Sequence, residues 1–206
     1  MDALILVDIQ KDFLPGGSLE VKEGDQVIPV ANALQQQFEL VVATQDFHPR
    51  DHGSFAANHE GKEPGEYIEL NGLEQILWPV HCVQGTEGAE FADDLNMEKV
   101  QKIFKKGVDA GIDSYSGFYD NGHKRSTGLA EYLKKKDVDR VFIVGLAADV
   151  CVKFTAMDAL REGFKTIVVS DGTRAVNLQE GDYEKAMEEL SEEGVEIRES
   201  REIMQT

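Results

Sequence analysis

Four short runs constrain the fold most: "LILVDI" (4–9), "LVVAT" (40–44), "RVFIV" (140–144) and "TIVVS" (166–170). Each is rich in β-branched residues and too short for a buried helix. Apolar residues follow one another in these runs instead of alternating with polar ones. A strand reads that way when both faces are covered, as in a parallel sheet layered with helices. The intervening segments supply those helices. Asp25–Phe38 has apolar residues at Val27, Ile28, Ala31, Leu34 and Phe38, with Pro29 placed in the first turn. Ser126–Lys136, Asp149–Glu162 and Gln179–Glu193 also read as helices, and Gly163 follows the third in the position that favours glycine. Val100–Lys105 and Val195–Arg198 are two further strands. The expected fold class is α/β: a doubly wound, mostly parallel central sheet with helices on both faces, three-layer and Rossmann-like, with right-handed crossovers. The 206 residues suit one domain, 1–206. A segment at about 45–88 breaks the alternation. It holds four of the five histidines, and long insertions of this kind are usually functional.

Charge and composition exclude several classes. The formal net charge of -18 lacks the basic footprint needed for nucleic-acid backbones. Much of the acid lies in "EKAMEELSEEGVEIRESREI", which reads as a solvated helix face. No apolar run approaches bilayer length, so no membrane partner is expected. The first strand is short and acidic, unlike a signal peptide, and a cytoplasmic location is expected. The two cysteines, Cys82 and Cys151, do not suggest a disulfide framework.

Ligands of open parallel sheets bind beyond the C-terminal strand ends. The residues there are Asp8, then Asp46 and His48, then Lys105 and Lys106, then Cys151. Cys151 follows a strand-to-helix turn through "GLAADVC". Such a thiol is either a small packed hydrophobe or a nucleophile whose amide surroundings bind an oxyanion. Asp8 interrupts an apolar strand and needs a partner, which Lys106 could supply. Strand alternation lets only one of Lys105 and Lys106 face the crevice. Asp46 and His48 share one side of an extended chain, and His81 lies in the same insertion. Together they form an open nitrogen and oxygen ligand set for zinc, iron or manganese. His52 follows four residues after His48, His59 and His123 read as loop residues, and Cys82 reads as packing. Phe13 and Trp78 are either core or the walls of a flat ring pocket.

With these motifs assembled, the chain resembles the nicotinamidase (pyrazinamidase) branch of the isochorismatase-like cysteine hydrolase superfamily. The similarity runs nearly end to end through "ALILVDIQKDFLPGGSL" at 3–19, "VVATQDFHPRDHGSF" at 41–55, "WPVHCVQGTEGAEF" at 78–91, "FKKGVDAGIDSYSGFYDN" at 104–121 and "VFIVGLAADVCVKFTAMDAL" at 141–160. The resemblance implies a catalytic triad at Asp8, Lys106 and Cys151. It implies an oxyanion hole from the amides of Ala147 and Cys151, after a cis peptide at Leu146–Ala147. It also implies metal ligands at Asp46, His48 and His81, with His52 ligating in some members, and ring-pocket walls at Phe13 and Trp78. The implied cofactor is one divalent metal, zinc, with iron or manganese as alternatives. The implied reaction is hydrolysis of the small molecule nicotinamide, or of pyrazinamide, in NAD salvage. A homo-oligomer is compatible with the resemblance. Many members read Ala-Thr-Asp where this chain reads Ala147-Ala148-Asp149. A related amidase acting on another amide, or an idle ligand-binding module, are the other readings.

Overall fold

The computed structural model describes residues 1–205. Its core is a six-stranded, wholly parallel sheet. In chain order the elements are β1 (Asp2–Val7), α1 (Val27–Leu34), β2 (Leu40–Asp46), a hairpin of β3 (Tyr67–Leu70) and β4 (Leu73–Ile76), β5 (Val100–Lys106), α2 (Leu129–Lys135), β6 (Arg140–Leu146), α3 (Lys153–Arg161), β7 (Lys165–Arg174), α4 (Asp182–Glu193), β8 (Glu196–Arg198) and α5 (Ser200–Met204). The strand order is β5-β2-β1-β6-β7-β8, and every neighbouring pair is parallel.

The period of two along each strand splits the core into two layers. Leu4 and Leu6 face one side, with Val41, Ala43, Phe142 and Val144, against the α1 residues Val27, Ala31 and Leu34. Ala3, Ile5 and Val7 face the other side, with Val42, Val141 and Ile143, against α2 (Leu129, Leu133), α3 (Ala156, Ala159) and α4 (Leu190). This is the expected doubly wound arrangement, and both faces of β1 are dry. Cutting Leu6 to alanine would cost about 2–5 kcal/mol.

Differences from the sequence reading are local. The first helix is shorter than Asp25–Phe38, because tight turns at Gly24–Gln26 and Gln35–Gln37 flank α1. α2 begins at Leu129, where the Ser126 and Thr127 hydroxyls accept the Gly128 and Leu129 amides. The segment expected to be helical from Asp149 starts as a π-turn, Ala148–Val152, before α3. Gly163, at φ 92, closes α3 as expected. The 45–88 insertion is not structureless: it contains the β3–β4 hairpin. α5, also absent from the reading, carries a capping box between Glu199 and Glu202.

In this topology the chain runs from β1 outward to β2 and β5, then returns to the other side of β1 as β6. The reversal opens a crevice at the C-terminal strand ends. Four adjacent strands, β5-β2-β1-β6, therefore deliver Lys106, Asp46, Asp8 and Cys151 to one place.

Candidate active site

β1 ends at Val7, and Asp8 turns out of the strand at φ 47. Its Oδ1 accepts the Thr44 hydroxyl at 2.7 Å. Its Oδ2 lies 2.8 Å from Lys106 Nζ, off the angle of a hydrogen bond, so the contact is an ion pair. Lys106 is paired with Asp46 in the β5–β2 register. Its ammonium also reaches Asp46 Oδ1 at 3.0 Å, the Ser114 carbonyl at 2.9 Å and Cys151 Sγ at 3.4 Å. Neighbouring Lys105 points outward over the Phe47 ring, so alternation selects Lys106 as expected. A fully buried lysine is tolerable here because two carboxylates flank it.

The thiol of Cys151 is buried, and its pKa is pushed well up. Burial is the largest cause; the Asp8 and Asp46 charges and a hydrogen bond to Asp8 add to it, while Lys106 opposes them. Asp8 is likewise raised by burial, with Lys106 opposing. Burial thus favours the neutral thiol, and the raised Asp8 pKa makes its carboxylate a stronger base toward that proton.

The second half of the site lies beside the first. Asp46 Oδ2 is 3.0 Å from His48 Nε2 and 3.4 Å from His81 Nε2. His48 Nδ1 donates to the Gly107 carbonyl at 2.9 Å and His81 Nδ1 to the Pro79 carbonyl at 2.7 Å, so in both rings Nε2 is the nitrogen turned toward Asp46. Burial opposes charge on Asp46, but the His48 and Lys106 charges outweigh it and hold the carboxylate well below its usual range. Burial also opposes charge on His48, yet Asp46 lifts its pKa to about 8. The three donor atoms lie within 4.8 Å of one another. Two imidazole nitrogens and one ionised oxygen, buried and converging, fit a divalent ion of zinc type. His52 is not one of these three donors. It is buried beside His48, with Nδ1 bound to the Ser54 hydroxyl at 2.7 Å, and it groups with His48 and Asp113.

A cleft of about 350 Å³ joins the two halves, with Phe13, Trp78, Ala147 and Cys151 in its walls. The Leu146–Ala147 peptide is cis. His59, bonded to the Gly53 carbonyl, and His123, stacked on Tyr119, lie outside the cleft as expected. Cys82 is packed in the core, and both cysteines are free.

The sequence reading missed several groups. Leu19, Asp113, Tyr115, Val150 and Val176 also line the cleft. The Tyr115 hydroxyl accepts Trp78 Nε1 at 3.3 Å and Gln75 Nε2 at 3.0 Å, which fixes the indole wall. Asp12 Oδ2 accepts the Cys82 amide at 2.7 Å and so anchors the loop that carries His81. Gln10 bridges Asp46 through both its backbone groups. Only Asp12 and Gln10 carried a usable signal, as polar residues directly after a buried strand.

The isochorismatase domain model matches residues 2–202. The chain belongs to the isochorismatase family. Among family relatives, the nicotinamidase of Escherichia coli (strain K12) is 46% identical, over 95% of this chain and 93% of that protein. A solved nicotinamidase/pyrazinamidase of Acinetobacter baumanii superposes with a TM-score of 0.95 at 48% identity, covering 98% of this chain and 97% of that one. A pyrazinamidase of Pyrococcus horikoshii, solved in complex with zinc, gives 0.79 at 38% identity, covering 96% and 98%. No helix among the described residues is long and apolar enough to cross a membrane.

Proposed function

We propose that this isochorismatase-family chain is a nicotinamidase that hydrolyses nicotinamide to nicotinate and ammonia, with pyrazinamide as a second substrate. The observation that carries the reading is one cleft holding Cys151, with Lys106 Nζ 3.4 Å from its sulfur, beside the Asp46/His48/His81 donor set. The identity to nicotinamidases over nearly the whole chain supports the same substrate. We read 45–88 as a metal-binding insertion within one domain.

Phe13 and Trp78 would sandwich a flat heteroaromatic ring. A divalent ion held by Asp46, His48 and His81, which we assign as zinc, would supply an electrophilic anchor for a ring nitrogen. Asp8 takes the thiol proton as Cys151 sulfur attacks the carboxamide carbon. The amides of Ala147 and Cys151 hold the oxyanion. Collapse breaks the C–N bond, and Asp8 returns its proton to the departing ammonia. Asp8 then takes a proton from water, whose oxygen attacks the thioester. Cleavage of the C–S bond releases the carboxylic acid, which ionises to nicotinate in water, and the Asp8 proton returns to sulfur. Lys106 holds Asp8 in place throughout.

The test is ammonia release from nicotinamide, with and without chelator, followed by metal analysis. Cys151→Ala should abolish turnover while still binding metal and nicotinamide. Normal ammonia release by that variant would remove Cys151 as nucleophile. Activity on another small amide but not on nicotinamide would refute the substrate.

A further inference from the structure

Asp149 stands two residues before Cys151 and has no role in the chemistry above. It is the acid in the first turn of Ala148–Val152, and its carboxylate bonds outside that turn. Both oxygens reach elsewhere. Oδ1 accepts the Val176 amide at 2.9 Å, and Oδ2 accepts the Asn177 amide at 2.9 Å. One carboxylate thus grips two successive amides of the loop after β7. Charge-assisted bonds of this kind are the strong ones.

The gripped loop forms part of the cleft. Val176 lines it together with Phe13 and Leu19, and all three pack in one apolar cluster. Asn177, at φ 52, then accepts the Tyr183 amide with its side chain at 3.0 Å, so the loop is tied next to α4. The following residues, Leu178–Glu180, are exposed. With no clamp, the Val176 wall would swing with this exposed stretch.

We propose that Asp149 is a positioning residue that fixes the outer wall of the ring pocket, so that affinity and ring-size tolerance depend on it through Val176. The proposal rests on the amide-hydrolase reading. The clamp holds the pocket in its binding-competent form, and loosening it lowers the competent fraction, raising the apparent dissociation constant by the reciprocal of that fraction. A change of this type raises KM and leaves kcat nearly unchanged.

The first readout needs no variant. In the wild-type protein the Val176 and Asn177 amides should exchange hydrogen about tenfold or more slowly than unprotected amides. Asp149→Asn keeps the size but offers one acceptor and turns an NH2 toward the other amide. It should speed exchange at both positions and raise KM for nicotinamide about tenfold, the scale of one lost charge-assisted bond. Its kcat should change far less than its KM. The ratio of kcat/KM for a ring-methylated nicotinamide to that for nicotinamide should rise. Val176→Ala, which opens the same wall without touching the clamp, should raise that ratio too. Unprotected amides in the wild type, or an unchanged ratio in a folded Asp149→Asn, would overturn the proposal. A kcat loss with no KM change would overturn it as well, by placing Asp149 in the chemistry. Should the wild type release no ammonia from nicotinamide, the functional reading itself fails, and this proposal with it.

Discussion

Lys106→Met tests the ion cluster at the centre of the site. The ammonium lies 2.8 Å from Asp8 and 3.0 Å from Asp46, and neither side chain is more than 5% exposed. Methionine nearly matches lysine in length and fills the space, so little cavity term is added. What is lost is the compensation of two buried carboxylates. Removing one partner of a buried ion pair costs about 3–5 kcal/mol. For a chain of this size, where each kcal/mol moves Tm by about 2–4 °C, the metal-free protein should melt about 6–20 °C lower. Thermal unfolding of metal-free protein measures this directly. The reasoning also predicts a rescue. Asp8→Asn removes one of the stranded charges, so Asp8→Asn/Lys106→Met should be more stable than Lys106→Met by about 1 kcal/mol or more. Ammonia release by Lys106→Met should fall by about 100-fold or more, because the base is no longer held. A single variant that melts with the wild type, or a double variant no more stable than the single one, would refute the claim that Lys106 compensates these carboxylates.

Three other outcomes follow from single contacts. A Cβ on Gly107, at φ 63, would stand 2.4 Å from His48 Cε1; Gly107→Ala should weaken metal binding about 10–100-fold in a chelator competition. Tyr115→Phe orphans the Trp78 donor, which costs about 1–3 kcal/mol, while Gln75 keeps the Ile76 carbonyl; calorimetry should show a lower Tm and steady-state kinetics a higher KM. The Tyr119 hydroxyl donates to Glu162 at 2.6 Å, and this bond, more than burial, raises its pKa from 10.0 to about 12. Its stabilisation is complete below the ordinary tyrosine value and lost as pH rises through about 12, so pH-dependent unfolding should lose that alkaline component in Tyr119→Phe.

Much of this protein is written locally. Continuous apolar runs are read directly as buried parallel strands, because covering both faces leaves no room for alternation. Once the strands are placed, Asp8, Asp46, Lys106 and Cys151 stand at their C-terminal ends, and the strand period alone separates Lys106 from Lys105. The family motifs add His48 and His81 of the donor set. Contacts that span the chain are not legible in this way. Asp12 reaches the Cys82 amide across 70 residues, Gln75 and Trp78 meet at Tyr115, and Asp149 grips amides 27 and 28 residues away. Each is a hydrogen bond whose partner is chosen by packing, so no local spacing announces it. The π-turn at Ala148–Val152 is likewise unmarked by the helical propensity of that stretch. The sequence by itself determined the architecture and which polar residues gather at the C-terminal strand ends. Tertiary structure decided which side chains hold those residues still, because only the folded chain brings distant amides and carboxylates within bonding distance.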